Sequence, residues 1–204
     1  MKKRTYFPVI LSVFALLLTV GVCLQNDQHC LSSKLIRLHV VANSDSEADQ
    51  SLKFAVRDAV LQQTSTILDG ADDPDSALSD NLDILQNTAE STLCALNCPC
   101  SVSVSIGNER FPTRDYDTFR LPGGVYRTLR VTIGEGAGHN WWCVVYPSLC
   151  LTATMDDLEL AAETAGFTTG EFRLITGAGE GYELKFKTME WLEKLKTYFF
   201  SVGK

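Results

Sequence analysis

A chain of 204 residues, 45% hydrophobic and 21% charged, is long enough to bury one substantial core and short for two. Its formal net charge is −7, and Lys2, Lys3 and Arg4 at the N-terminus leave the remainder more acidic still. Such a surface repels phosphate backbones and anionic headgroups, which argues against a nucleic-acid partner and against electrostatic docking on lipid.

In chain order, Lys2-Lys3-Arg4 precedes an apolar stretch from roughly Phe7 to Leu24, and Gln25-Asn26-Asp27-Gln28-His29 ends it. A basic segment before a charge-free apolar run is the pattern of an export signal. Its length falls between a signal-peptide core and a bilayer span of about 20 residues. Residues 1–25 therefore read as a signal peptide or an N-terminal membrane anchor. Either way, the basic flank places the body outside the cytoplasm, with membrane contact only through this segment.

Leu35–Ala42 has strand periodicity, with Ile36, Leu38 and Val40 on one face and Arg37, His39 and Val41 on the other. Asn43-Ser44-Asp45-Ser46 stops it, and Ser46 with Asp49 opens a helix running to about Leu68 in capping-box fashion. A second helix is expected from Ser76 to about Leu93, carrying Leu78, Leu82, Leu85, Ala89 and Leu93 at helical spacing. The period then switches to two in Ser101–Ile106, which Gly107-Asn108 is expected to end as a turn. Tyr126–Ile133 is a further strand, and Asn140–Tyr146, apolar on both faces, suits a central one. Short connections favour antiparallel pairing. The stretch 151–181 is acidic and less regular, with one short helix near Met155–Thr164. A last strand at Tyr182–Lys187 and an amphipathic helix at Met189–Phe200 complete the chain. The fold class is α+β: a single domain over 34–204, with a mixed, mainly antiparallel sheet, two N-terminal helices and a C-terminal amphipathic helix.

Seven cysteines in an exported chain point to disulfides. Cys143 and Cys150 flank a turn at Pro147 and are candidates to close a local loop, while the pairing of Cys30, Cys94, Cys98 and Cys100 stays open. Cys94, Cys98 and Cys100 lack the paired Cys-x-x-Cys spacing and a nearby His, so no metal site is assigned. Gly134-Glu135-Gly136-Ala137-Gly138 resembles a phosphate loop only superficially, because it joins two strands and no Lys-Ser/Thr follows. Trp141 and Trp142 are adjacent on a strand and must point to opposite faces: one into the core, the other under the Gly-rich loop or toward a partner. His39, Ser44 and Asp45 contain the residue types of a catalytic triad, but Ser44 has no nucleophile-elbow context. The better reading is that Ser44, Asp45 and Ser46 form a turn and cap, and that His39 satisfies a hydrogen bond in the core.

Three segments together resemble the stage II sporulation protein R family. They are Ile36–Ser46 with Asp49-Gln50, Leu52-Lys53 and Val56-Arg57-Asp58; Pro122–Tyr126 with Leu129-Arg130-Val131 and Ile133-Gly134; and Gly138–Cys150. Ser148 and Gly123 depart from the family's usual proline and alanine. The resemblance implies a sporulation signal, made in the forespore and exported into the space between the forespore and mother-cell membranes. Its expected partner there is a membrane-embedded aspartic protease that removes the pro-segment of an early mother-cell sigma factor. The chain would then be a ligand and not an enzyme, with no cofactor. The matched polar and loop positions His39, Asn43, Ser44, Asp45, Arg57, Asp58, Tyr126, Arg130, Gly138, Asn140, Trp141 and Trp142 are the candidate partner-binding residues. The Trp141/Trp142 hairpin and the His39–Asp45 loop are expected to form one face. Alternatives are an exported cell-wall or peptide hydrolase using His39 or His139 with Asp45 or Glu135, and a carbohydrate-binding envelope module.

Overall fold

The computed structural model describes residues 11, 12, 19, 28–149 and 154–177. The remainder of the export segment, Cys150, and the strand and helix expected at Tyr182–Lys187 and Met189–Phe200 lie outside the described residues. Among the described residues no helix is long and apolar enough to cross a membrane.

The fold is α+β. Strand β1 (Ile36–Val41) is followed by α1 (Glu47–Leu68), α2 (Pro74–Asp80) and α3 (Leu82–Ala95). Strand β2 (Val102–Phe111), a short ribbon of β3 (Arg114–Asp115) and β4 (Arg120–Leu121), and strands β5 (Gly124–Ile133) and β6 (Asn140–Tyr146) come next. Helices α4 (Met155–Thr164) and α5 (Thr169–Thr176) close the described chain. Residues form two compact units, one of 32–110 with 125–167, the other of 1–31, 111–124 and 168–204.

The larger unit holds the main sheet, in the order β2-β5-β1-β6. Strand β1 pairs parallel with β5, Leu38 opposite Leu129 and His39 opposite Arg130. It pairs antiparallel with β6, Leu38 opposite Cys143 and His39 opposite Trp142. The sheet is therefore mixed as expected, but its central pair is parallel. The crossover from β1 to β5 runs through three helices and β2, ample chain for a parallel return. Strand β6 lies at the edge of the described sheet rather than in its middle, with Cys143, Val144 and Val145 buried nonetheless.

Alternation along the strands decides the core. Ile36, Leu38 and Val40 of β1, and Leu129, Val131 and Ile133 of β5, pack with Val56 and Val60 of α1 and Leu85, Ala89 and Leu93 of α3. Each of the larger aliphatic side chains contributes about 1.5–3 kcal/mol of burial. Helix α1 begins where expected: Ser46 is its N-cap, accepting the Asp49 N–H at 3.2 Å. The expected second helix is two, broken at Asn81. There the Asn81 N–H reaches back to Leu78 O at 3.3 Å and its side chain donates to Ala77 O at 2.8 Å. Gly107-Asn108 is no turn, since β2 continues through both to Phe111.

In the smaller unit, the β3–β4 ribbon is closed by Tyr116 stacked on Phe119 at 4.5 Å and by an Arg120–Asp115 ion pair at 2.8 Å. Helix α5 packs beside β4 and opens on a complete capping box, Thr168 with Glu171.

Candidate interaction surface

Two loops at one end of the larger unit are fastened to each other. Backbone N–H groups of Ala137 and Gly138 donate to Asn43 O (3.1 Å) and Ala42 O (2.9 Å). The Asn43 side chain accepts the Glu135 N–H at 3.0 Å and donates to Asp49 Oδ2 at 3.0 Å. Ser44 Oγ donates to the same Asp49 oxygen at 2.5 Å. Hydrogen bonds from Ser44 and Asn43 hold the Asp49 carboxyl below its usual range. Asp49 thus serves the turn, while the Ser46 hydroxyl accepts its backbone N–H at the helix start. Glycines permit the approach: Gly134 has φ +56, and a Cβ on it would strike the Asn43 side chain, while one on Gly138 would strike the Ser44 carbonyl. Lys53, 3% exposed, ties the hairpin to α1, donating to His139 O (3.1 Å) and Gln50 Oε1 (2.5 Å). Burial pushes its ammonium below the usual lysine range, with Asp45 opposing.

From this junction a cation–aromatic ridge extends along α1. The Arg57 guanidinium stands 4.8 Å from the rings of both Phe54 and Trp141, and Lys53 Nζ lies 4.9 Å from Phe54. Phe54 and Arg57 are three apart on the helix and share its surface. Phe54 is 41% exposed. Arg57 also donates to Asp58 at 2.7 Å.

The opposite side of the sheet carries a second polar group. His39 Nδ1 donates to Glu109 Oε2 at 2.8 Å, and its Nε2 lies 2.8 Å from Asn140 Oδ1. Arg130 donates to Glu109 Oε1 at 2.8 Å and to Thr132 Oγ1 at 3.1 Å. The Trp142 ring sits 5.6 Å from the imidazole. Burial opposes the charge on Glu109, yet hydrogen bonds from Arg130 and His39 outweigh it and lower the carboxyl's pKa.

The twelve candidate residues therefore do not share one face. Asn43, Ser44, Asp45 and Gly138 build the loop junction, with Arg57, Asp58 and Trp141 on the helix side. His39, Arg130, Asn140 and Trp142 lie on the other side, as adjacent tryptophans on a strand require. Tyr126 is not part of a contact surface: it is 1% exposed, with the buried Arg37 guanidinium 5.0 Å from its ring. Of the residues considered for a hydrolase, the structure pairs Asp45 with His139 and not with His39. Asp45 meets His139 Nδ1 at 2.5 Å and accepts the His139 N–H at 2.6 Å, while His39 engages Glu109 and Asn140.

Lys53, Phe54 and Glu109 were not singled out as site residues by sequence reasoning. Phe54 carried a signal, an aromatic residue off the apolar stripe of an amphipathic helix. Among the cysteines, Cys143 is disulfide-bonded, and Cys150, its expected partner, lies outside the described residues. Cys94, Cys98 and Cys100 are free thiols. Among the described residues, no group of three or more His, Cys, Asp or Glu is placed to hold a metal.

A family model described as stage II sporulation protein R matches residues 32–156, a span that contains both loops, the ridge and the whole main sheet. The chain is also 29% identical over 196 residues to the stage II sporulation protein R of Bacillus subtilis (strain 168), covering 84% of this chain and 85% of that protein. No solved structure matches it. The chain is a sporulation protein. It belongs to the stage II sporulation protein R family.

Proposed function

We propose that the chain is an exported signal, released from the forespore into the intermembrane space, that activates a membrane-embedded aspartic protease. That protease then removes the pro-segment of the early mother-cell sigma factor. The chain acts without catalysis, by binding the active state of the protease more tightly than the inactive one. Family membership and the basic-then-apolar N-terminal segment support this reading. The observation that carries the surface is the exposed Phe54 beside the half-buried Arg57 and Trp141, next to the loop junction. Aromatic and arginine side chains are the types that dominate binding energy at protein interfaces, and here Phe54 and Arg57 stand on helix α1 with Trp141 reaching them from β6.

Co-expression in a non-sporulating host tests the function. The full chain, the membrane protease and the sigma-factor precursor are produced together and in pairs, and precursor cleavage is followed by immunoblot. Cleavage is expected only when all three are present. Cleavage without the chain, or by the chain without the protease, would overturn the proposal.

A further inference from the structure

Past the C-terminus of α3 the chain turns through Asn97, a non-glycine residue at φ 55, and then runs Cys98-Pro99-Cys100. The turn is pinned by the Cys98 N–H donating to Leu93 O and the Asn97 N–H to Cys94 O, both at 2.9 Å. Cys98 and Cys100 are half-buried against the hydrophobic core, so their side chains are held in place. Both are free thiols, two residues apart in the chain. In addition, the Cys100 N–H donates to Cys98 Sγ at 3.3 Å, a dipole suited to negative charge developing on that sulfur. Two thiols separated by one proline, one of them with the other's backbone N–H aimed at its sulfur, form an arrangement that simple core packing does not require.

We propose that Cys98 and Cys100 are a redox dithiol that exchanges with low-molecular-weight disulfides and closes an intramolecular Cys98–Cys100 bond. The Cys98 thiolate attacks one sulfur of the small disulfide, breaking its S–S bond and expelling one thiolate. Cys100 then loses its proton to solvent and attacks the Cys98 sulfur of the mixed disulfide, expelling the second thiolate. The pair gives up two electrons and two protons, and the small disulfide becomes two thiols. The hydrogen bond to Cys98, with burial, pushes the Cys100 thiol up, which suits it to resolve the mixed disulfide rather than to open the exchange. Cys94, exposed on the last turn of α3, is an internal control.

The full chain, purified with its existing disulfide intact, is incubated with oxidised glutathione, alkylated and mapped by mass spectrometry. We expect alkylation of Cys98 and Cys100 to be lost together and a peptide linking them to appear, unchanged in Cys94→Ser. In Cys100→Ser, glutathione should remain trapped on Cys98. Retention of both thiols, separate glutathione adducts on Cys98 and Cys100, or a link from either to Cys94 would overturn the proposal. The mapping of the unsubstituted chain is decisive by itself, so a misfolded variant would not obscure the result.

Discussion

Glu109 shows how much of this molecule rests on single contacts. It receives Arg130 on one oxygen and His39 on the other, at 2.8 Å each. Glu109→Gln should lower unfolding free energy near neutral pH by about 1.5–3 kcal/mol, the range for hydrogen bonds to charged groups. The sign of the pH dependence follows from the lowered carboxyl. The stabilisation is complete above the unfolded carboxyl range of about 4.3 and is lost as pH falls through the folded value. Denaturant titrations over pH should therefore show the gap between parent and variant closing in acid; a gap independent of pH would contradict this. Gly134→Ala tests the loop junction, because φ +56 and the Asn43 side chain both oppose a Cβ. A loss of more than about 1 kcal/mol is expected, read as a fall in melting temperature. Equal stability would mean that the junction yields. The tryptophan pair was legible at this scale, since alternation alone separates adjacent side chains. Glu109 was not, because it lies beyond a Gly-Asn pair that reads as a turn.

Helix α1 was readable almost to the residue, because a serine cap and an apolar period agree. Ser46→Ala removes the hydroxyl that accepts the Asp49 N–H and should cost about 1 kcal/mol by chemical denaturation. No loss would show that the Asn43–Ser44–Asp49 bonds hold the helix start unaided. Other elements were illegible for physical reasons. The break at Asn81 leaves Leu78, Leu85 and Ala89 on the same buried side, so the apolar period passes over it unchanged. Strand β2 overrides the turn propensity of Gly107-Asn108, as strand propensities yield to pairing context. Strand β6 has the apolar run of a central strand yet stands at the edge of the described sheet, with Trp141 under Arg57 and Trp142 beside His39. The parallel pairing of β1 with β5 depends on a crossover that loop-length reasoning about neighbours does not see. The β3–β4 ribbon and α5 are too short to leave a period.

For the molecule as a whole, the sheet separates two groups of residues that the sequence reading had placed on one face. One side holds a partly buried charged group around His39 and Glu109, which stabilises the sheet. The other side, through α1 and the loop junction, presents Phe54 and Arg57. If signalling runs through that ridge, changes there should spare the fold and abolish the output. The most direct measurement is maturation of the mother-cell sigma factor in sporulating cells carrying Phe54→Ala with Arg57→Ala, at an abundance and melting temperature matched to the parent. Our account expects processing to fall by tenfold or more, consistent with the loss of about 1.4 kcal/mol or more of binding free energy. Processing at the parental rate would contradict it.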